Sequence, residues 1–265
     1  MQLRTLCLSA ALLLLGAANA DAQTSDWYRR QWSKADSLAS QAGKPRSALV
    51  VVNTIYKSAR AQGNEAQLVR ALVYRSELQE ETRENSERSA IGELEAERKS
   101  LNGTALALVN SLLARSYREY LSGNQWQIRQ RTSTGGFKES DLSTWTMTDL
   151  NERITALHEA ALRGRALLQR TPLASYEPLI RKGNARVLRP TLYDLLAHEA
   201  LDYFKSGEAD LVRPEHPFEI TQPEALAPAA EFVRARFTST DSLSRQWRAL
   251  RLFQELIAFH LQRGD

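Results

Sequence analysis

Along most of this chain apolar residues recur at spacings of three and four rather than two, the period of a helix with one face turned to a core. The sharpest case runs from Arg189 to Phe204. At about 100° per residue, Leu192, Leu196, Ala200, Tyr193, Tyr203 and Phe204 share one broad sector, with Leu195 at its edge. Asp194, His198 and Asp202 stand four apart on the other side. Pro190 suits a first helical turn, Thr191 and Asp194 are spaced to satisfy orphan amides there, and Gly207 supplies a stop. One face is predicted to enter a core, the other to meet water or a partner.

The same period predicts helices along the rest of the chain, where no proline falls between Pro45 and Pro172. A first helix, capped by Thr24 or Ser25, carries Trp27, Trp32, Ala35 and Leu38 and ends near Gly43. A second starts at Pro45, bears Ala48, Val52, Ile55 and Ala59, and stops at Gly63. A third bears Leu68, Ala71, Leu72 and Leu78, and a fourth, capped by Ser86, bears Ile91 and Leu94. The fifth is clean, with Ala105, Leu108, Val109, Leu112, Leu113, Ser116, Tyr117 and Tyr120. The pattern then breaks from Gln125 to Thr148, a long connection flanked by Trp126 and Trp145 that are expected to pin it.

Beyond it, Leu150, Ile154, Leu157, Ala161 and Leu168 predict one helix reaching Thr171-Pro172. A short helix follows near Tyr176 to Ile180, leading through Gly183-Asn184 into the Pro190 helix. Residues 208–228 hold four of the eight prolines and read as extended chain with a short strand at Phe218 to Ile220. A short helix at Ala229 to Phe237 and a last one, capped by Thr240 or Asp241 and running through Leu243, Trp247, Leu250, Phe253, Ile257 and His260, end the reading. The expected fold is all-α, an irregular array of about ten antiparallel helices in two tiers. Its helix pairs are partly tetratricopeptide-like, because Trp27 to Tyr74 has the tempo of a ~34-residue repeat.

Composition narrows the function classes. With 265 residues, 43% hydrophobic and 25% charged, the chain is ordinary globular material. Residues 1–20 read as a signal peptide: Arg4 in a basic start, an apolar run from Thr5 to Gly16 too short to span a bilayer, and Ala18-Asn19-Ala20 before a cut after Ala20 or Ala22. The expected destination is the periplasm or the extracellular space. The one cysteine, Cys7, lies inside that leader, so the mature chain has no thiol chemistry. The net charge of +4 is mild and the basic residues are interleaved with acids, which argues against nucleic acid. No later stretch is apolar enough to span a membrane. The domain division expected is 21–124 as a first helical tier, 125–148 as a connecting loop and 149–265 as a second tier.

Three constellations invite a chemical reading. His198-Glu199-Ala200-Leu201-Asp202 resembles the helix of zinc peptidases, on which ligands four apart flank a basic Glu, but Asp stands where the second His belongs. His158, His216 and His260 offer no third ligand in a matching context, and His260 reads as a satisfied core histidine. No Gly-x-Ser-x-Gly turn is present for a serine nucleophile. Gly135-Gly136 lacks the Gly-Lys-Thr ending and preceding strand of a phosphate loop. The chain is therefore read as non-enzymatic, with no catalytic, cofactor-binding or metal residues and no cofactor.

Four segments together resemble the N-terminal helical region of large exported bacterial proteins of the alpha-2-macroglobulin family. They are Lys44-Pro45-Arg46-Ser47-Ala48-Leu49 leading to Ile55-Tyr56; Asn124 to Thr132 with Trp145; Arg189 to Phe204; and Leu256-Ile257-Ala258-Phe259-His260. In that family the region precedes macroglobulin β-sandwich domains, a protease-cleaved bait segment and a thioester domain. The thioester needs a Cys-x-Glu-Gln context that the mature chain lacks, so no inhibitory residue is carried over. The resemblance implies a helical scaffold or docking module of a protease-inhibitor-like protein, expected to be a fragment of a longer chain, whose partners are the missing macroglobulin domains and target proteases. The alternatives are a zinc-dependent hydrolase centred on His198 and Asp202, and a free-standing tetratricopeptide-like peptide binder.

Overall fold

The structure, a computed structural model, describes residues 24–80, 86–131, 141–180, 186–206, 218–241 and 244–264. The expected signal peptide, the Gly135-Gly136 and Gly183-Asn184 turns, Gly207 and His216 lie outside these residues. Among the described residues the fold is all-α, and the only β pairing is an isolated bridge between Pro172 and Thr191. Phe218 to Ile220 forms no strand.

The chain divides into two compact units between Ser86 and Glu87, well before the expected boundary at 124/125. The reason lies in packing: the helices on either side of the 125–148 segment lie against each other, so that segment joins one core rather than separating two.

In the first unit, helix α1 (24–36) runs into a π-turn at Ser37–Gln41, followed by α2 (Pro45–Gln62) and α3 (Glu65–Glu80). Pro45 occupies the first turn of α2, where its missing N–H is no loss. Gly63 ends α2 in the left-handed region at φ 65°, which a side chain would strain. The stripe Ala48, Val52, Ile55 and Ala59 is fully buried. Trp32 and Tyr28 are buried too, and their polar tips reach α2 and α3: the indole Nε1 donates to Gln67 Oε1 at 2.6 Å and the Tyr28 hydroxyl to Gln62 Oε1 at 2.9 Å. The Arg70 guanidinium lies 4.0 Å over the Trp32 ring. A tetratricopeptide-like pairing is not demonstrated by this packing.

The second unit holds α4 (Ser86–Arg98), α5 (Gly103–Gly123), α6 (Gln125–Arg129), α7 (Met147–Leu162), α8 (Arg165–Arg170), α9 (Leu192–Lys205), α10 (Ala229–Phe232) and α11 (Arg245–Arg263). Helix α5 buries its apolar residues against α7. Glu95 ties α4 to both: it accepts from the Tyr117 hydroxyl at 3.1 Å and pairs with Arg153 at 2.5 Å. The helix expected over Leu150 to Leu168 is two, α7 and α8, broken at Arg163-Gly164, and Leu168 on α8 is buried. Helix α11 is capped by Ser244 rather than Thr240 or Asp241, its hydroxyl accepting from Trp247 N at 3.2 Å.

The tryptophans flanking the connection part company. Trp145 is buried and stacks on Tyr117, ring centres 5.6 Å apart, while Trp126 on the short α6 is 73% exposed. Arg131 closes this turn instead, donating from Nη1 to the carbonyls of Leu142 and Trp145 at 3.2 and 3.0 Å.

Candidate functional site

Helix α9 packs against α5, α7, α8 and α11. Its buried residues run from Leu192 through Tyr193, Asp194, Ala197 and Leu201 to Phe204, about 200° of its circumference at the ideal twist. Its entry is fixed at two levels. Leu173 N donates to Pro190 O at 2.8 Å and Leu192 N to Thr171 O at 2.9 Å, pinning the chain before the helix to the end of α8. Pro190 therefore precedes the helix rather than occupying its first turn. Thr191 is the cap, and with Asp194 it forms the capping box that the sequence predicts: Thr191 N donates to Asp194 Oδ2 at 2.9 Å, and Asp194 N to Thr191 Oγ1 at 3.3 Å. Helix α7 opens with the same device, Thr146 and Asp149.

The polar stripe of Asp194, His198 and Asp202 does not act as a unit. Asp194 is fully buried, because α11 lies across the first turn of α9 and brings His260 Nε2 to 2.9 Å from Asp194 Oδ1. His260 is thus a partly exposed partner of a buried carboxylate, not a core histidine. Asp202 is exposed and 3.5 Å from Lys205. His198 lies between, half-buried; desolvation lowers its pKa, the Arg189 guanidinium lowers it further, and Asp194 and Asp202 oppose that shift. Among the described residues no group of three or more His, Cys, Asp or Glu side chains is placed to hold a metal.

His158 has a different environment. It is buried, stacks on Tyr203 with ring centres 5.3 Å apart, and its Nδ1 has no hydrogen-bond partner. Burial first, and the Arg118 guanidinium second, push its pKa down to about 4. The unfolded chain takes up a proton near pH 6.5, whereas the folded one resists until about 4, so stability falls as pH drops through that window. Between pH 6.5 and 5 the loss is expected to reach roughly 2 kcal/mol. Urea titrations across that range should show a shallower fall for His158→Phe, which keeps the ring; an unchanged slope would mean other groups govern the acid limb.

An open apolar groove of about 830 Å³ lies at the end of α9, walled by Phe204, Phe232, Leu250, Phe253 and Ile257. Its outer wall, the chain from Glu219 to Phe237, is held to α11 by buried Gln254, whose Nε2 donates to the carbonyls of Phe232 and Ala235, both at 2.8 Å. Trp247 Nε1 adds a bond to Phe237 O at 3.2 Å. The groove is remote in sequence from the 24–80 helices where the repeat tempo was read. Nothing in the proline-rich pattern of 208–228 predicts it, though the small residues Ala225, Ala227 and Ala229 that line it are its trace in the sequence.

The described helices include none long and apolar enough to cross a membrane. Compared with protein families, curated proteins and solved structures, the chain finds no match. The inward-turned Asp194 and the apolar groove are therefore the observations from which a function is drawn.

Proposed function

We propose that this chain is a non-enzymatic helical scaffold or docking module of an exported protein built like those of the alpha-2-macroglobulin family, working in the periplasm or outside the cell. One observation supports the reading above the others. The third and fourth segments that carry the resemblance, Arg189 to Phe204 and Leu256 to His260, meet through the bond between Asp194 and His260. The Asp194 carboxylate and the His260 imidazole are engaged in holding α9 to α11, as a structural module would use them. The partners this reading implies are macroglobulin domains of the same protein and the proteases it would restrain.

The reading frame beyond codon 265 tests the proposal. Macroglobulin β-sandwich domains encoded downstream would support docking within one longer protein. A stop codon at that point would overturn it.

A further inference from the structure

Within the 87–265 unit the helices fasten to one another in two groups. Helix α7 packs mainly on α5, and Glu95 ties both to α4. Helix α9 packs mainly on α11, fastened by Asp194 and His260, and its entry is pinned to the end of α8. The chain passes from one group to the other at Arg163-Gly164. A side chain at Gly164 would meet no atom within 4 Å, so this link is not packed in place.

His158 lies in the joint between the groups, where α7 meets α9. Its ring is buried, stacked on Tyr203 and edge-on to Phe204 with ring centres 6.0 Å apart. The surroundings suit only the neutral imidazole. The Tyr203 hydroxyl is turned to Asn151, donating to its carbonyl at 3.2 Å and to Oδ1 at 3.0 Å. Arg118 of α5 and Arg245 of α11 approach the same Tyr203 ring, at 6.0 and 5.1 Å from its centre. Glu159, the next residue of α7, is engaged by Arg248 of α11. A proton on His158 therefore adds a buried cation beside two guanidiniums, with no carboxylate to pair it. The contact between α9 and α11 has the opposite chemistry: a proton on His260 turns its bond to buried Asp194 into an ion pair.

We propose that the joint between α7 and α9 opens in acid: proton uptake at His158 parts the two helices about Arg163-Gly164, while α9 stays on α11. The device is independent of which partner the module docks to. Burial and Arg118 hold the closed-state imidazole down at about 4, and the open state frees it to titrate near 6.5. The closed form is thus fully favoured above pH 6.5 and loses ground as pH falls towards 4, the open-to-closed ratio rising about 30-fold between pH 7.5 and 5.

Thiol trapping in the full chain tests the proposal. Ala200 is fully buried and lies between Tyr203 and Phe204 around an ideal α9, so Ala200→Cys in a Cys7→Ser background puts a single thiol in the joint. Ala90→Cys puts one under α4, outside it. The rate of reaction with a dipyridyl disulfide, divided by that of the urea-unfolded chain at the same pH, reports how often each thiol is uncovered. At pH 5 the Ala200→Cys thiol should be at least about tenfold less protected than that of Ala90→Cys, and its protection should fall about 30-fold from pH 7.5. Adding His158→Phe should shrink that fall to under about threefold. Thr155→Cys, on the α7 side beside Tyr203, serves as the joint probe should Ala200→Cys not fold.

Equal protection at the joint and at Ala90→Cys overturns the proposal, because only global unfolding would then uncover either. So does protection in the joint that holds steady between pH 7.5 and 5. A fall that survives His158→Phe overturns it as well and assigns the acid response to other groups.

Discussion

Leu196→Ala should lower the free energy of unfolding of the 87–265 unit by about 2–5 kcal/mol, the cost of a cavity in a packed core. Leu196 is 2% exposed, and Leu192 and Tyr203, within about 40° of it around an ideal α9, are equally deep. The four neighbours of α9 leave no free side on that arc, so the site cannot collapse onto solvent. His198→Ala should cost several-fold less. It lies some 120° from the nearest edge of the arc, half-buried, and a surface ion pair in such a place is worth at most ~1 kcal/mol. Urea unfolding with matched m-values makes the comparison. Equal losses would mean that the polar stripe is buried against something that ordered it for a purpose.

Asp194→Ala should cost about 3 kcal/mol, although an ideal helical wheel places this residue beside His198. Its carboxylate is fully buried and accepts from Thr191 N at 2.9 Å, from the Thr191 hydroxyl at 2.7 Å, and bonds His260 at 2.9 Å. Removing it breaks the carboxylate half of the capping box and leaves the Thr191 amide without an acceptor. It also frees α11 from the first turn of α9. Thr191→Ala removes the cap alone and should cost about 1 kcal/mol. A loss at Asp194→Ala no larger than that at Thr191→Ala would show that the bond to His260 contributes nothing.

Asp194 shows where the sequence becomes opaque. The period of three and four reports a helix and its innermost stripe, and Leu192, Leu196 and Tyr203 are buried as that stripe predicts. The Thr-x-x-Asp spacing likewise reports the capping box at Thr191, because a cap is made by residues three apart, whereas Thr146, whose box with Asp149 opens α7, falls inside the expected 125–148 connection. The burial of Asp194 depends on α11 lying over it with His260, 66 residues away, and no local pattern carries that. Trp126 and Trp145 teach the same lesson from the other direction. Their flanks read alike, yet Trp145 stacks on Tyr117 and Trp126 is exposed. Leu168 keeps its place in the core although the helix expected to carry it breaks at Gly164. The groove was least visible. Prolines at 214, 217, 223 and 228 signal irregular chain, but where that chain is seated is decided by Gln254 and Trp247 on α11.

The central claim is that His198 and Asp202, the side chains on α9 that imitate a metal site, hold no zinc, while their neighbour Asp194 is engaged in joining α9 to α11. Elemental analysis of the purified protein, before and after dialysis against zinc, tests it most directly, with His198→Ala measured alongside. The account predicts no stoichiometric zinc in either protein. One zinc per wild-type chain, lost in His198→Ala and accompanied by hydrolytic activity, would contradict it.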